Sequence, residues 1–512
     1  MRRSPGGAAR GLALPAAVRQ GAVAVLVGAA WLAATSAFAQ SATEPSGLQA
    51  AIALEQLLIK AIERSEQSVV SIARFNSDDA AAAALPRPEI RPGVPFGLIE
   101  PPKPDPTSPD FVPNEFASGV IVDKDGYVVT NFHAIDGPGQ IWITTVGRKT
   151  MRAEIVGGDP RSDLAVLKPV DPPADVEFTP IVYGDGSKLK KGQIVIVLGN
   201  PYAIARDGQA SAAWGIVANI ARKAGPKPGA ADLRERKNTL HHFGTLIQTD
   251  AKLNLGTSGG ALLNLQGEMV GLTTSQAAVA GFEQAAGYAI PVDDVFRRVV
   301  DTLKQGKEVE YGLLGVQTSA LSSGERSLGM PGVRVDLVGN GSPADRAGIS
   351  PRDVIVQVAG RPIYDVDGLM LHVGKQPAGN PTTVTVEREG RLFTIPITLA
   401  KYEVTQRGIV TAPEPAWRGI RIDYPSAHRD IDPQQKMGFR ILDAGVLIVD
   451  VDSDSPAWDI GLRPGMVVTH VQNVPVENPA EFRRQAKHLA GPVELRLGAL
   501  PGQPPVVRVP DE

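Results

Sequence analysis

An internal repeat constrains this chain more than any other feature. Ser342-Pro343-Ala344, Gly348-Ile349, Pro351, Val354, Val358 and Pro362 recur as Ser455-Pro456-Ala457, Gly461-Leu462, Pro464, Val467, Val471 and Pro475, at a constant offset of 113 residues. So many matches without a gap mean two copies of one module in the C-terminal half. Each copy carries the same local physics. Serine caps a helix, proline suits the first helical position, and glycine ends a short helix. The modules are read as 311–400 and 417–509, with Pro413 and Pro415 inside a linker at 401–416.

The chain ahead of the repeat is patterned differently. Residues 47–67 place Leu48, Ile52, Leu54, Leu57, Leu58, Ala61 and Ile62 at roughly helical spacing, which predicts an amphipathic helix packing on the next domain or on a neighbouring subunit. A first strand is expected at 68–72. Between residues 85 and 113 about one residue in three is proline, which no sheet or helix interior tolerates, so 76–113 reads as a long inserted loop. Short β-rich runs then alternate with glycine turns: 118–122, 127–130, 141–145, 153–156, 164–167, 194–198, 215–220, 246–249, 261–264, 269–273 and 288–290. That rhythm predicts an all-β sandwich or a pair of barrels over 47–305, closed by a helix at 292–304.

Arg2, Arg3, Arg10 and Arg19 precede an apolar run from residue 21 to 34, and Ala37-Phe38-Ala39 follows in small-x-small form. The layout is that of a signal peptide over 1–39, cut after about Ala39, and the apolar run is shorter than the ~20 residues of a spanning helix. An uncleaved membrane anchor is the competing reading. A net charge of −3 gives no reason to expect nucleic acid as a partner, and the absence of cysteine excludes thiol nucleophiles and thiolate metal sites. No cofactor or metal is expected.

Chemistry concentrates at Gly256-Thr257-Ser258-Gly259-Gly260. Glycines flanking a serine permit a tight turn that presents a hydroxyl while aiming backbone N–H groups at one point. A serine nucleophile needs a base. His133, in Thr130-Asn131-Phe132-His133, ends a strand, whereas His241 and His242 follow the charged run Arg234-Glu235-Arg236-Lys237 and read as a solvated loop. For the orienting carboxylate, Asp163 abuts the apolar run Leu164-Ala165-Val166-Leu167, with Asp159, Asp185 and Asp250 as competitors in turn-like settings. The order His, Asp, Ser along a chain is the one found on double β-barrels.

Taken with Asp159-Pro160, Gly199-Asn200-Pro201, Gln248-Thr249-Asp250-Ala251 and Gly287-Tyr288-Ala289-Ile290-Pro291, these motifs resemble the HtrA/Deg family of trypsin-like serine proteases, and the repeats resemble its PDZ domains. The resemblance implies a mainly β fold, a double β-barrel protease domain followed by two PDZ α+β domains. It implies His133 as general base, Asp163 as its partner, Ser258 as nucleophile, and the N–H groups of Gly256 and Ser258 as an oxyanion hole. Leu253 and Ala277 would line the substrate pocket, and the proline-rich loop would be regulatory. The partners implied are unfolded or misfolded exported proteins, C-terminal peptides, and further copies of the chain in a trimer or its multiples, with a membrane only if the N-terminal segment stays uncleaved. Peptide ends would dock at Gly312, Leu313, Leu314, Gly315 and Val316. The second copy offers Trp417-Arg418-Gly419-Ile420, read as lacking the second glycine, and either binds peptide or serves assembly. Thr257 stands where the family usually has asparagine, and a β-branched threonine makes the oxyanion loop stiffer there. A chaperone or scaffold with silent or secondary proteolysis is the alternative to an endoprotease.

Overall fold

The computed structural model describes residues 47–75, 113, 115–200, 208–224, 239–274, 286–428, 445–498 and 505–511. The segment 1–39 expected to be a signal peptide, nearly all of 76–113 expected to be an inserted loop, and Ala277 lie outside these. The chain divides into two compact units, Met1–Ile59 and Lys60–Glu512. The predicted amphipathic helix is present as Gly47–Ser65, with Leu48, Ile52, Leu57 and Ile59 exposed and Ala61 and Ser65 buried in its last turn.

The region from Val69 to Pro291 is two closed six-stranded barrels. The first is formed by β1 (Val69–Phe75), β2 (Glu115–Ile121), β3 (Val128–Asn131), β4 (Gln140–Thr144), β5 (Thr150–Asp159) and β6 (Leu164–Pro169) in the order β5-β4-β1-β2-β3-β6, and pairing of β5 with β6 closes the ring. Alternation along these strands aims Val70, Ile72, Ile121, Val128, Ile143 and Leu167 into one core. The second comprises β7 (Ile194–Gly199), β8 (Ser211–Arg222), β9 (Leu246–Thr249), β10 (Ala261–Leu263), β11 (Met269–Thr274) and β12 (Gly287–Pro291), ordered β10-β11-β12-β9-β8-β7. Strand β8 begins earlier than predicted because pairing with β7 holds Ser211 to Ala213, whose small residues carry no alternation. The closing helix is Asp294–Lys304, capped by the Asp293 carboxylate, which accepts from Phe296 N.

Both modules fold alike. Strands Val316–Ala320, Val333–Val338, Val354–Val358, Pro381–Arg388 and Arg391–Thr398 follow in that order across one sheet. Ile420–Asp423, Val446–Val451, Val467–Val471, Val493–Leu497 and Val506–Val509 repeat the arrangement. The caps match too: Ser342 and Ser455 accept from Asp345 N and Trp458 N, and Asp365 and Asn478 from Gly368 N and Glu481 N.

The stretch between the modules is more than a tether. Its Ile409–Val410 strand pairs antiparallel with Gly158 and Gly157 of β5, extending the first barrel's sheet, and Thr411 donates to Val156 O at 2.5 Å. The second module then meets the first through Lys401, whose buried ammonium bonds Asp423 and Glu308, both at 2.8 Å. A cavity of about 510 Å³ opens between them, lined among others by Arg298, Glu310, Lys401, Trp417, Asp423 and Phe482.

Candidate active site

Strand β3 ends at Asn131, and the short turn Phe132–Ala134 that follows presents His133. The turn joining β5 to β6 presents Asp163 in the left-handed region, at φ 56°. That backbone is costly for a residue other than glycine and is held from several sides. Phe132 N donates to Asp163 O at 3.0 Å, and His133 N donates to Asp163 Oδ1 at 3.0 Å. The carboxylate is fully buried and takes His133 Nδ1 at 2.9 Å from each oxygen, and Thr274 Oγ1 bonds Oδ2 at 3.3 Å. The His133 imidazole is about one-third exposed. Burial opposes its protonation, but the Asp163 charge and hydrogen bond outweigh that effect and raise its pKa above the ordinary imidazole value. An imidazole so held has Nδ1 committed to the carboxylate and Nε2 as its second site of proton exchange.

Ser258 comes from the second barrel and is tied to both. On one side stands Ser118 of β2, fully buried. Its N–H donates to Ser258 O at 2.8 Å, its hydroxyl donates to Gly256 O at 2.7 Å and accepts from Asn200 N at 2.8 Å, and its carbonyl accepts from Thr130 Oγ1 of β3 at 2.8 Å. On the other side stands β11. Gly259 N donates to Thr273 O, Thr273 N donates to Gly260 O, and the Thr273 hydroxyl bonds Thr257 O. The next residue, Thr274, is the one bonded to Asp163. Gly259 is at φ 82°, and a Cβ there would stand 2.1 Å from Ser118 O, so only glycine fits. Thr257 closes its own turn, with N and Oγ1 both donating to Asn254 O at 3.2 and 2.6 Å, and Gly256 is at φ 92°.

A trypsin-like peptidase model matches residues 117–272, and a PDZ model matches residues 312–399. Among the relatives, a probable periplasmic serine endoprotease DegP-like of Chlamydia trachomatis is 31% identical over 73% of this chain and 70% of its own. The periplasmic serine endoprotease DegP of Salmonella typhimurium is 31% identical over 72% of this chain and 70% of its own. The chain belongs to the HtrA/DegP-like family of trypsin-like serine proteases. It is a serine endopeptidase with a PDZ domain. The solved HtrA-type protease AlgW with tripeptide, 24% identical, aligns with 70% of this chain and 99% of its own at a TM-score of 0.48.

The remaining predicted residues of this HtrA-type chain are distributed as follows. Leu253 packs against the second barrel's core and lies against Gly287 at the start of β12, where a Cβ would stand 2.7 Å from its Cδ1. Gly312 N donates to Gln376 O at 2.8 Å, and the residue is pressed against Leu399, so its place is set by packing. Leu314 is buried in the first module's core, Leu313 pairs with Ala400, and Val316 opens the edge strand. Gly315 and Gly419 correspond: both have φ near 80°, and their carbonyls accept from Gly339 N and Asp452 N. The glycine missing from the second copy is therefore the first, not the second as read from sequence. Arg418 falls where the first copy has Leu314. Its guanidinium bonds the carbonyls of Leu489, Gly491, Val509 and Pro510 and the Asp511 carboxylate.

His241 and His242 overturn another expectation. Both are buried in the turn Leu240–Phe243, and neither is on a solvated loop. Arg161, two residues before Asp163, is 1% exposed and stacks on the ring of Tyr402 at 3.9 Å. No sequence signal marked it, because its partners come from the start and end of the first module.

Proposed function

We propose that this chain is an exported endopeptidase that holds unfolded proteins and cuts them at Ser258. His133 takes the Ser258 proton as the hydroxyl attacks a peptide carbonyl, and Asp163 stabilises the resulting imidazolium. The N–H groups of Gly256 and Ser258 receive the oxyanion. His133 then protonates the leaving amine, and water activated by the same imidazole releases the acyl-enzyme. The observation that carries this reading is the double grip on the serine loop, through Ser118 to the strand of His133 and through Thr273–Thr274 to Asp163.

Leu253, packed over Gly287, would line a pocket for small or medium aliphatic side chains, and Ala277, expected beside it, lies outside the described residues. A peptide C-terminus adds along the Val316 edge strand with its carboxylate at the Gly312–Gly315 loop. The chain works as a homo-oligomer, a trimer or its multiples, a reading supported by the apolar residues that the helix Gly47–Ser65 leaves exposed. The compartment is the periplasm, as the relatives' names state for them, with cleavage after about Ala39. No helix among the described residues is long and apolar enough to cross a membrane. Mapping the peptides released from an unfolded protein tests this reading. It requires cuts after aliphatic residues that vanish in Ser258→Ala, and cuts that persist in that variant would overturn it.

A further inference from the structure

The turn Asp159–Asp163 is gripped from outside the triad, and the grip comes from a histidine. His241 Nε2 lies 2.8 Å from Ser162 O, a carbonyl that only accepts, so Nε2 carries the proton. Its Nδ1 is then the acceptor for Thr245 Oγ1 at 2.6 Å, which fixes the tautomer. Burial holds the imidazole neutral by lowering its pKa, although the charges of Asp163 and Asp293 oppose that effect. The same turn gives a second bond one residue earlier, from Leu240 N to Arg161 O at 2.8 Å. Two successive carbonyls ahead of Asp163 are thus fixed by adjacent residues.

We infer that His241 is a positioning residue for the reaction, its Nε2–H bond to Ser162 O holding the left-handed backbone of Asp163 so that the carboxylate meets His133 Nδ1. The inference rests on the His133–Asp163–Ser258 reading above. Asp163 is strained at φ 56°, and a strained backbone persists only where its surroundings over-determine it. Releasing Ser162 O lets the 162–163 peptide rotate toward an ordinary conformation, which swings the carboxylate from the imidazole. A cavity of about 30 Å³ beside His241, Ser162, Thr245 and Lys375 leaves room for that movement. On its far side the His241 turn is packed by the first module's helix Val366–Gly374, and a Cβ on Gly374 would touch Leu240 and Arg161. The module is therefore part of the scaffold behind Asp163.

The test compares the full chain with His241→Ala, His241→Gln and Thr245→Val, cleaving a chromogenic peptide with an aliphatic residue before the scissile bond. Gln can still donate to Ser162 O, and Val frees the His241 tautomer while keeping the ring. Expected is a fall in kcat of roughly 10- to 100-fold in His241→Ala with KM within about twofold, because a 1 Å misplacement can cost that much. The acid limb of the pH–rate profile should move to lower pH, as the Asp163 charge recedes from His133. Gln should restore most of kcat, and Val should fall between the two. Should His241→Ala fail to fold, Gln and Val decide: wild-type kcat and pH profile in both overturn the inference. Equal kcat loss in Ala and Gln with unmoved acid limbs would also overturn it. A wild-type chain whose activity survives Ser258→Ala would instead defeat the underlying triad, a distinguishable result.

Discussion

Tyr311 donates its hydroxyl to the Asp159 carboxylate, joining the residue that opens the first module to the turn that ends at Asp163. Both partners are buried, and Ser162 N shares the same carboxylate oxygen at 2.8 Å. The Arg161 guanidinium sits against the rings of both Tyr311 and Tyr402, so residues flanking the first module on either side hold this turn. Tyr311→Phe keeps the ring and removes the hydroxyl. It should destabilise the chain by about 1–3 kcal/mol, since a buried carboxylate loses a partner, and thermal melting measures the loss. An unchanged melting temperature would show the contact to be idle.

The serine loop has no room at Gly259. Gly259→Ala sets a methyl group against the Ser118 carbonyl, and that carbonyl cannot retreat without breaking the Thr130 bond. Peptidase activity should drop at least ~100-fold, on the scale of losing an oxyanion-hole donor. Near-normal activity in a folded variant would mean that the loop tolerates a different path.

His133 must be unprotonated to act as base, so kcat/KM should rise with pH through its raised pKa. Asp163→Asn removes both effects that raise it and leaves the burial that lowers it. The acid limb should therefore shift to lower pH while kcat falls on the order of 10⁴-fold. A pH–rate profile of wild type and variant measures both, and an acid limb that stays in place would separate Asp163 from His133.

What the sequence revealed and what it hid follow one physical division. Ser342 and Ser455, Gly348 and Gly461 signal their turns through neighbours only a few residues away, so the modules were legible. The turn around Ser258 was legible because its positive-φ positions, Gly256 and Gly259, call for glycine. His241 was not, for its partner Ser162 lies 79 residues upstream and the charged residues before it suggested solvent. Ile409–Val410 were unreadable as a strand because two residues carry no period, and only β5 makes them one. Arg418 disguised the corresponding loop of the second module, because a guanidinium there takes over carbonyls whose counterparts in the first copy, such as Gln376 O, bond the main chain at Gly312.

Glu310 faces the cavity between the modules, and burial pushes its carboxyl up to about 7, helped by Asp423 and Glu308 and opposed by Lys401 and Arg483. Its folded pKa lies above the ordinary 4.5, so the folded chain binds this proton more tightly than the unfolded chain. The contribution is fully present below about pH 4.5 and is lost as pH rises through 7, at most on the order of 3 kcal/mol. Glu310→Gln should therefore flatten the fall in melting temperature between pH 5 and 8. Parallel curves for the two proteins would contradict the assignment.

The most direct test of the account is stoichiometric labelling by a serine-directed phosphonate, run beside degradation of an unfolded protein, for the mature chain and for Ser258→Ala. The account predicts one label per chain on Ser258 and steady degradation, both lost in the variant. Failure of the wild-type chain to label or degrade, even with a C-terminal peptide added, would contradict it and leave a chaperone or scaffold in its place.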